Sequence, residues 1–580
     1  MELNVITGRA GTGKTYGILR ELAEKSAAEP LGFPLLLLVP EQATFNAEWS
    51  LLNDFNIQGS LRVQICGFKK LFEILAKEQR ITLKPWLDNL GKSMILRKIV
   101  NNHRSDFAVF GKSAKHSGFV DNLMLMMDEL TTFQISKEQL EQAEKQIFAI
   151  GETPMVGEKL ADISLIYGEY ADKLQQDYCD ETRLLEILAE AVTKSEILQK
   201  AEIYLDGFTD FDPAQAEVIK ALIKKCAKVT VALVMDSKEF YEEDDVFAFS
   251  EKTYNQLKSF AEAENIPFYR KHLTENKRLA GKEDLLALES AFAVKSSLPQ
   301  ENLVPENVQI VRAAKNSDEL NFVALEILNL VKKQGCRMSD FAVISRSLAD
   351  CRRLIEDTFN SYNIPYFTDN AQSMFHHPLV ETVLAMVEIE AENWQSSAVL
   401  RYLKAGMADI SLDNLDVLEN YALANGIKGT YWQKAGSWQR YYQNNVNKAV
   451  SKDEEEAAEA CRKLAEINVT GEKAIKPLLS FHYALRDLQK KDGKYLLADV
   501  IAVLQKSLEN MALNEILEQW EAKAETRGLL QQAAFHRQIL AELFGLFDQL
   551  KSFLGDTYVT LGEVYTLLEE GAGKMELNSI

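Results

Sequence analysis

Leu3 to Thr7 is a short apolar stretch that stops at glycine, and helical spacing takes over from Tyr16 to Lys25. Apolar residues crowd together from Leu35 to Val39 and end at Pro40, as in a strand buried on both faces. Gln64, Ile65 and Cys66 give a third short strand before a helix from Phe68 to Gln79. From about Leu83 to Lys200 apolar residues fall at helical spacing, as in Met94, Ile95 and Ile99 or Leu123, Met126, Met127 and Leu130. These methionines read as helix-packing core. Strand character returns over 201–205 and 228–235, separated by a helix from Pro213 to Lys225. The alternation predicts an α/β fold, a parallel sheet with helices on both faces. The Pro- and Asn-rich stretch Leu298 to Asn307 marks a domain boundary. Beyond it, Val308 to Ala313 and Phe341 to Ser345 read as buried strands around a helix from Ser317 to Lys333. From Pro378 onward the pattern is almost wholly helical, and Glu569 to Ile580 close no evident element.

The first strand-to-helix turn carries chemistry. Gly8, Arg9, Ala10, Gly11, Thr12, Gly13, Lys14 and Thr15 fill every fixed position of a phosphate-binding loop. Its glycines let backbone N–H groups curl around phosphate oxygens. Lys14 supplies a point charge to the β- and γ-phosphates, and Thr15 a hydroxyl to Mg²⁺. A hydrolysing enzyme of this type also needs an Asp at a strand end to hold Mg²⁺, usually with a Glu beside it to activate water. Asp206 ends the strand Ile203-Tyr204-Leu205, but Gly207 follows it. An ordinary Asp-Gly turn accounts for the same pair. Loss of a general base costs about 10²–10⁴ in rate, so binding is expected to survive better than turnover.

Composition narrows the partners. The 580-residue chain has a net charge of −21, which repels nucleic acid at long range, so any DNA contact must run through a local groove, or a partner must supply the basic surface. No run approaches the roughly 20 apolar residues of a membrane span. The six cysteines are scattered with no Cys-x-x-Cys pair, which suits reduced thiols in a cytoplasm. With the first strand starting by residue 3, the N-terminus leaves no room for a signal peptide, and the expected location is cytoplasmic.

Five segments together resemble the B subunit of the AddAB/RexAB helicase–nuclease. They are the phosphate loop, VPEQATF (Val39 to Phe45), YLDGFTDFDPAQ (Tyr204 to Gln215), CRMSDFAVISR (Cys336 to Arg346), and NIPYFTD with HHPLV (Asn363 to Val380). The resemblance implies RecA-like lobes of superfamily-1 helicase type with large helical insertions. Residues 1–82 and 201–300 would form the first lobe, 83–200 a helical insertion, 306–375 the start of a second lobe and 376–580 its insertion. The chain would then stop before that lobe and a C-terminal nuclease domain are completed, and an iron–sulfur cluster is implied only for the longer protein. The implied role is a non-motor, helicase-like subunit of an ATP-dependent helicase/exonuclease that processes DNA ends for repair. It would pair with an A subunit, bind ATP and Mg²⁺, contact single- and double-stranded DNA, and have weak or no ATPase and no nuclease activity alone. A self-sufficient translocase and an ATP-binding scaffold without DNA contact are the alternatives.

By resemblance, Lys14, Thr15 and Asp206 hold phosphate and Mg²⁺, and Arg346 lies where related helicases place an Arg near the γ-phosphate. Pro40, Glu41, Gln42 and Thr44 match a loop that touches single-stranded DNA, although Thr44 equally suits a helix cap. Phe68 and Lys69 occupy the next such loop, where Phe68 suits either base stacking or core. His376 and His377, next to Pro378, read as helix-start packing and not as metal ligands.

Overall fold

The run Leu35–Leu38 becomes β2, with all four leucines buried. Burying each such side chain contributes about 1.5–3 kcal/mol, which is why the run settles inside a sheet. A computed structural model of the chain describes residues 1–580 apart from 56, 58, 60, 114–116, 151–153, 238–244, 295–304, 368–371, 409, 440–453 and 578–580. Most of the boundary segment 298–307 therefore lies outside the described residues. Two units are distinguished, Met1–Leu87 with Leu123–Arg312, and Asp88–Asn122 with Ala313–Ile580.

The first unit is built on a six-stranded parallel sheet in the order β3-β2-β4-β5-β1-β6. The strands are β1 (Leu3–Gly8), β2, β3 (Val63–Cys66), β4 (Glu202–Leu205), β5 (Lys228–Val234) and β6 (Phe268–Leu273). The crossovers include α1 (Lys14–Ala28), α2 (Thr44–Asp54) and α3 (Phe68–Gln79). Five helices occupy much of the interval between β3 and β4: α4 (Asn89–Asn102), α5 (Ser117–Thr132), α6 (Lys137–Ile150), α7 (Pro154–Asp177) and α8 (Glu181–Lys194). Asp88–Asn122, with α4, groups with the second unit. After β4 come α9 (Pro213–Lys225), α10 (Ala248–Ala263) and, beyond β6, α11 (Glu283–Val294). Asp212 caps α9 by accepting from the Gln215 N–H at 2.7 Å, with Pro213 at the first helical position.

The second unit is mainly helical. Its α12 (Asn316–Gln334) and α13 (Leu348–Ser361) share a small core of Leu320, Ala324, Ile327, Ile355 and Phe359. Helix α14 (Pro378–Ala391) is buried along most of its length and anchors the larger core. Two expectations fail here. The segments 308–313 and 341–345 form no strand, and Ile310 and Ile344 are each 94% exposed. A β-branched run becomes a strand only when neighbouring backbone supplies a ladder, and among the described residues none reaches these two. Nor is the end of the chain without elements. Glu569 lies inside the helix Leu561–Lys574, and Glu576–Leu577 pairs antiparallel with Gln372–Ser373. Among the described residues no helix is long and apolar enough to cross a membrane.

His377 caps α14. Its Nδ1 accepts the Leu379 N–H at 3.0 Å, so its Nε2 carries the proton and donates to Nδ1 of His536, also at 3.0 Å. The imidazole is fully buried beside Phe535 and Trp520, and burial, with His536 adding to it, lowers its pKa from 6.5 to about 3. Between those values the unfolded chain binds the proton and the folded chain does not, so stability declines as pH falls. We expect thermal stability to fall on going from about pH 7 to pH 5, by about 1 kcal/mol per pH unit from this residue. His377→Asn, which keeps a capping acceptor, should flatten that slope in melting curves. An unchanged slope would mean that other groups carry it.

Candidate functional site

Gly11 and Gly13 have φ of 84° and 87°, left-handed values that favour glycine and turn the loop's N–H groups to one side. Gly13 precedes α1, whose N-terminus has no side-chain cap, so its first N–H groups face the loop. Lys14 is buried, and its Nζ donates to the carbonyls of Gly8 at 2.7 Å and Arg9 at 2.9 Å. Burial pulls its pKa below the usual lysine value; Asp206 opposes the shift and Arg278 adds to it. Asp206 itself is buried at the end of β4, with its N–H bonded to Leu38 O at 3.0 Å. Thr15, exposed beside Lys14, lines the same cleft of about 970 Å³ as Asp206. A hydroxyl and a carboxylate beside a phosphate cradle suit Mg²⁺, a hard cation that keeps several waters and takes few protein oxygens. Lys14, Thr15 and Asp206 thus come together.

Arg9 does not join them; it pairs with Glu289 of α11 at 3.1 Å. The Thr12 hydroxyl donates to Arg9 O at 2.9 Å and braces the turn. Arg346 lies on exposed chain in the second unit. What the sequence did not point to is the segment after β6. The N–H groups of Lys277 and Arg278 donate to Gly11 O at 2.9 and 3.2 Å, and Asn276 Nδ2 donates to Ala10 O at 3.0 Å. This clasp places Arg278 on the wall of the cleft. A Cβ on Gly11 would lie 2.5 Å from Asn276 Oδ1, so the clasp needs that glycine for space as well as for its φ. His272 lines the cleft too. Its Nδ1 lies 2.9 Å from Thr7 Oγ1, and burial holds its pKa below the ordinary histidine value.

The expected DNA contacts sit at the same rim, at the ends of β2 and β3. Thr44 Oγ1 donates to Glu41 O at 2.7 Å and closes the turn that follows Pro40, leaving Gln42 exposed. Gly67 lies so close to the Glu41 carboxylate that a Cβ would meet it at 2.1 Å, so the carboxylate occupies the space a side chain would need. Phe68 is half-buried against Phe208, with ring centroids 5.8 Å apart. Lys69 is exposed, its Nζ 5.4 Å from the centre of the Trp86 ring. Gly207, with φ of 83°, would bring a Cβ within 3.2 Å of Pro40.

A UvrD-like helicase C-terminal domain matches residues 272–568, slightly more than half of the chain. The chain belongs to the UvrD-like helicases. An "ADDB, N-terminal" domain matches residues 5–289 of this helicase-family chain. It is 32% identical over its whole length to the B subunit of the ATP-dependent helicase/deoxyribonuclease of Desulforudis audaxviator, covering 49% of that protein. Identity is also 32% to the protein of the same name from Heliobacterium modesticaldum, with 47% of it covered, and 30% to that of Anoxybacillus flavithermus, with 50% covered. The chain spans about half the length of the curated relatives it matches.

Arg278→Ala should weaken nucleotide binding by roughly tenfold or more, the worth of a charge-assisted hydrogen bond, without unfolding the chain. Gly11→Ala should do so more severely, because it strains the loop and dislodges Asn276. Calorimetric titration with ATP and Mg²⁺ checks both, and wild-type affinity in Arg278→Ala would remove that residue from the site.

Proposed function

We propose that this chain is the helicase-like, non-motor part of an ATP-dependent helicase/exonuclease subunit that processes DNA double-strand ends for recombinational repair. One observation carries the reading: Lys14, Thr15 and Asp206 share a cleft, and the position after Asp206 has no carboxylate. The backbone explains why a simple swap would not supply one. At Gly207 a side chain would need a left-handed φ and would press on Pro40. The site is therefore built to hold ATP and Mg²⁺ more than to turn ATP over. Gly8, Arg9, Ala10, Gly11, Thr12 and Gly13 form the cradle, and when bound, Mg²⁺ would offset phosphate charge between Thr15 and Asp206.

On this reading Pro40, Gln42, Thr44, Phe68 and Lys69 face single-stranded DNA, and Arg346 is counted among the nucleotide-binding residues. Residues 1–82 and 201–300 are the first lobe, 83–200 its insertion, 306–375 the start of the second lobe and 376–580 a further insertion. The partner is an A-type helicase–nuclease subunit, a pairing supported by the relatives' being B subunits, and the complex works in the cytoplasm.

The test is ATP affinity and turnover with and without single-stranded DNA, for the wild type and Lys14→Ala. Binding that depends on Lys14, with negligible turnover, is the expected result. Rapid DNA-stimulated hydrolysis would instead identify a self-sufficient translocase. Gly207→Glu should fail to raise turnover and should lower stability by about 1–2 kcal/mol from the strained backbone.

A further inference from the structure

Helix α2 is apolar on two faces. On the inner one Leu51 is buried, and Ala47 packs beside it on the core that includes Leu37 and Val63. A helix whose other face meets only water carries polar residues there. Here Phe45, Trp49 and Leu52, spaced i, i+4 and i+7 on the outward face, are 68%, 59% and 45% exposed. The Phe45 and Trp49 ring centroids lie 6.2 Å apart. Leu52 also lines a groove of about 460 Å³ with Ile57, Ile65 and Ile74, beside the edge strand β3. Single exposed apolar residues are ordinary, but a stripe that runs into an apolar groove marks a surface that another molecule covers.

Charge decides which molecule. Helix α2 holds Glu48 and Asp54 but no lysine or arginine. Glu48 stands on the rim of the groove and makes no ion pair among the described residues. Lys70 lies on the same rim, but Glu73 holds its ammonium at 2.8 Å. Single-stranded DNA needs cations for its phosphates beside an aromatic platform, and this face offers a carboxylate. A second copy of the chain would set one acidic helix against another. The complement of an apolar stripe with an acidic rim is a polypeptide that brings large apolar side chains flanked by lysine or arginine. We propose that the outward face of α2, with the groove beside β3, is where the A-type subunit docks, through a segment apolar at its centre and basic at its edge. The proposal rests on the reading of this chain as one subunit of a complex. Trp49 is the anchor, because a Trp among apolar neighbours is the residue type in which interface energy concentrates.

Surface plasmon resonance of the full chain against the immobilised A-type subunit of the same organism tests this on wild type, Trp49→Ala and Glu48→Lys. Trp49→Ala should weaken the complex by roughly thirtyfold, the scale of an aromatic anchor, with melting temperature and ATP affinity unchanged. Glu48→Lys should slow association and reduce its dependence on salt, as the loss of a complementary rim charge does. Unchanged affinity in Trp49→Ala would overturn the docking surface while the subunit reading stands. Faster association of Glu48→Lys would overturn the basic character of the partner segment. If the wild type does not bind the A-type subunit, the subunit reading and the docking surface fall together. Anisotropy with labelled single-stranded DNA and sedimentation of the chain alone cover the other two occupants. If Trp49→Ala loses DNA binding or self-association and keeps the A-type subunit, the face belongs to that occupant and the proposal falls.

Discussion

A parallel sheet can gather side chains from remote segments at one rim only if each strand enters in register, and here that register is what makes the cleft. Strand β4 arrives after a long excursion through α4–α8 and slots between β2 and β5, with Leu38 opposite Leu205 and Leu205 opposite Val231. Its far end then lies among those of its neighbours, and Asp206 emerges beside the phosphate loop. Slipping β4 by one residue would turn Ile203 and Leu205 out of the core they share with Leu36 and Leu38. Burial therefore fixes the register, and the register fixes the distance between Lys14 and Asp206. The polar contact at the opposite end has a similar role. Lys25 donates to Glu202 at 2.6 Å and to Tyr204 at 3.0 Å, tying α1 to β4 below the cleft.

How much of this was legible in the sequence follows from how local each signal is. The phosphate loop is contiguous, and its glycines, lysine and threonine are each required by the turn itself, so it could be read without any tertiary knowledge. Asp206 was legible because an apolar strand ends on it. Arg278 was not. The strand before it, β6, lies at the sheet edge and spells Phe-Tyr-Arg-Lys-His-Leu, with burial only partial, so no apolar run announces it. The clasp on Gly11 is made by backbone N–H groups, which leave no mark on residue identity. The opposite error came from 308–313 and 341–345. Their β-branched residues look like strand interiors, but strand formation needs a paired neighbour, and propensity cannot supply one.

The rim also explains why the two candidate surfaces are not independent. Gly207 follows Asp206, and a Cβ on it would come within 3.2 Å of Pro40, while Glu41, one residue on, fills the space beside Gly67. Each link depends on a missing Cβ, at Gly207 and at Gly67, so the connection is steric and does not need a relay of charges. An acidic chain has reason to use such a device. With a net charge of −21 it cannot draw DNA in by its overall field, so on the proposed reading contact is made by a local surface such as this rim, or a partner supplies the basic charge. On the proposed reading the site's role is to hold a nucleotide. That role asks for binding and release at Lys14 and Asp206, and places no demand on a general base at residue 207.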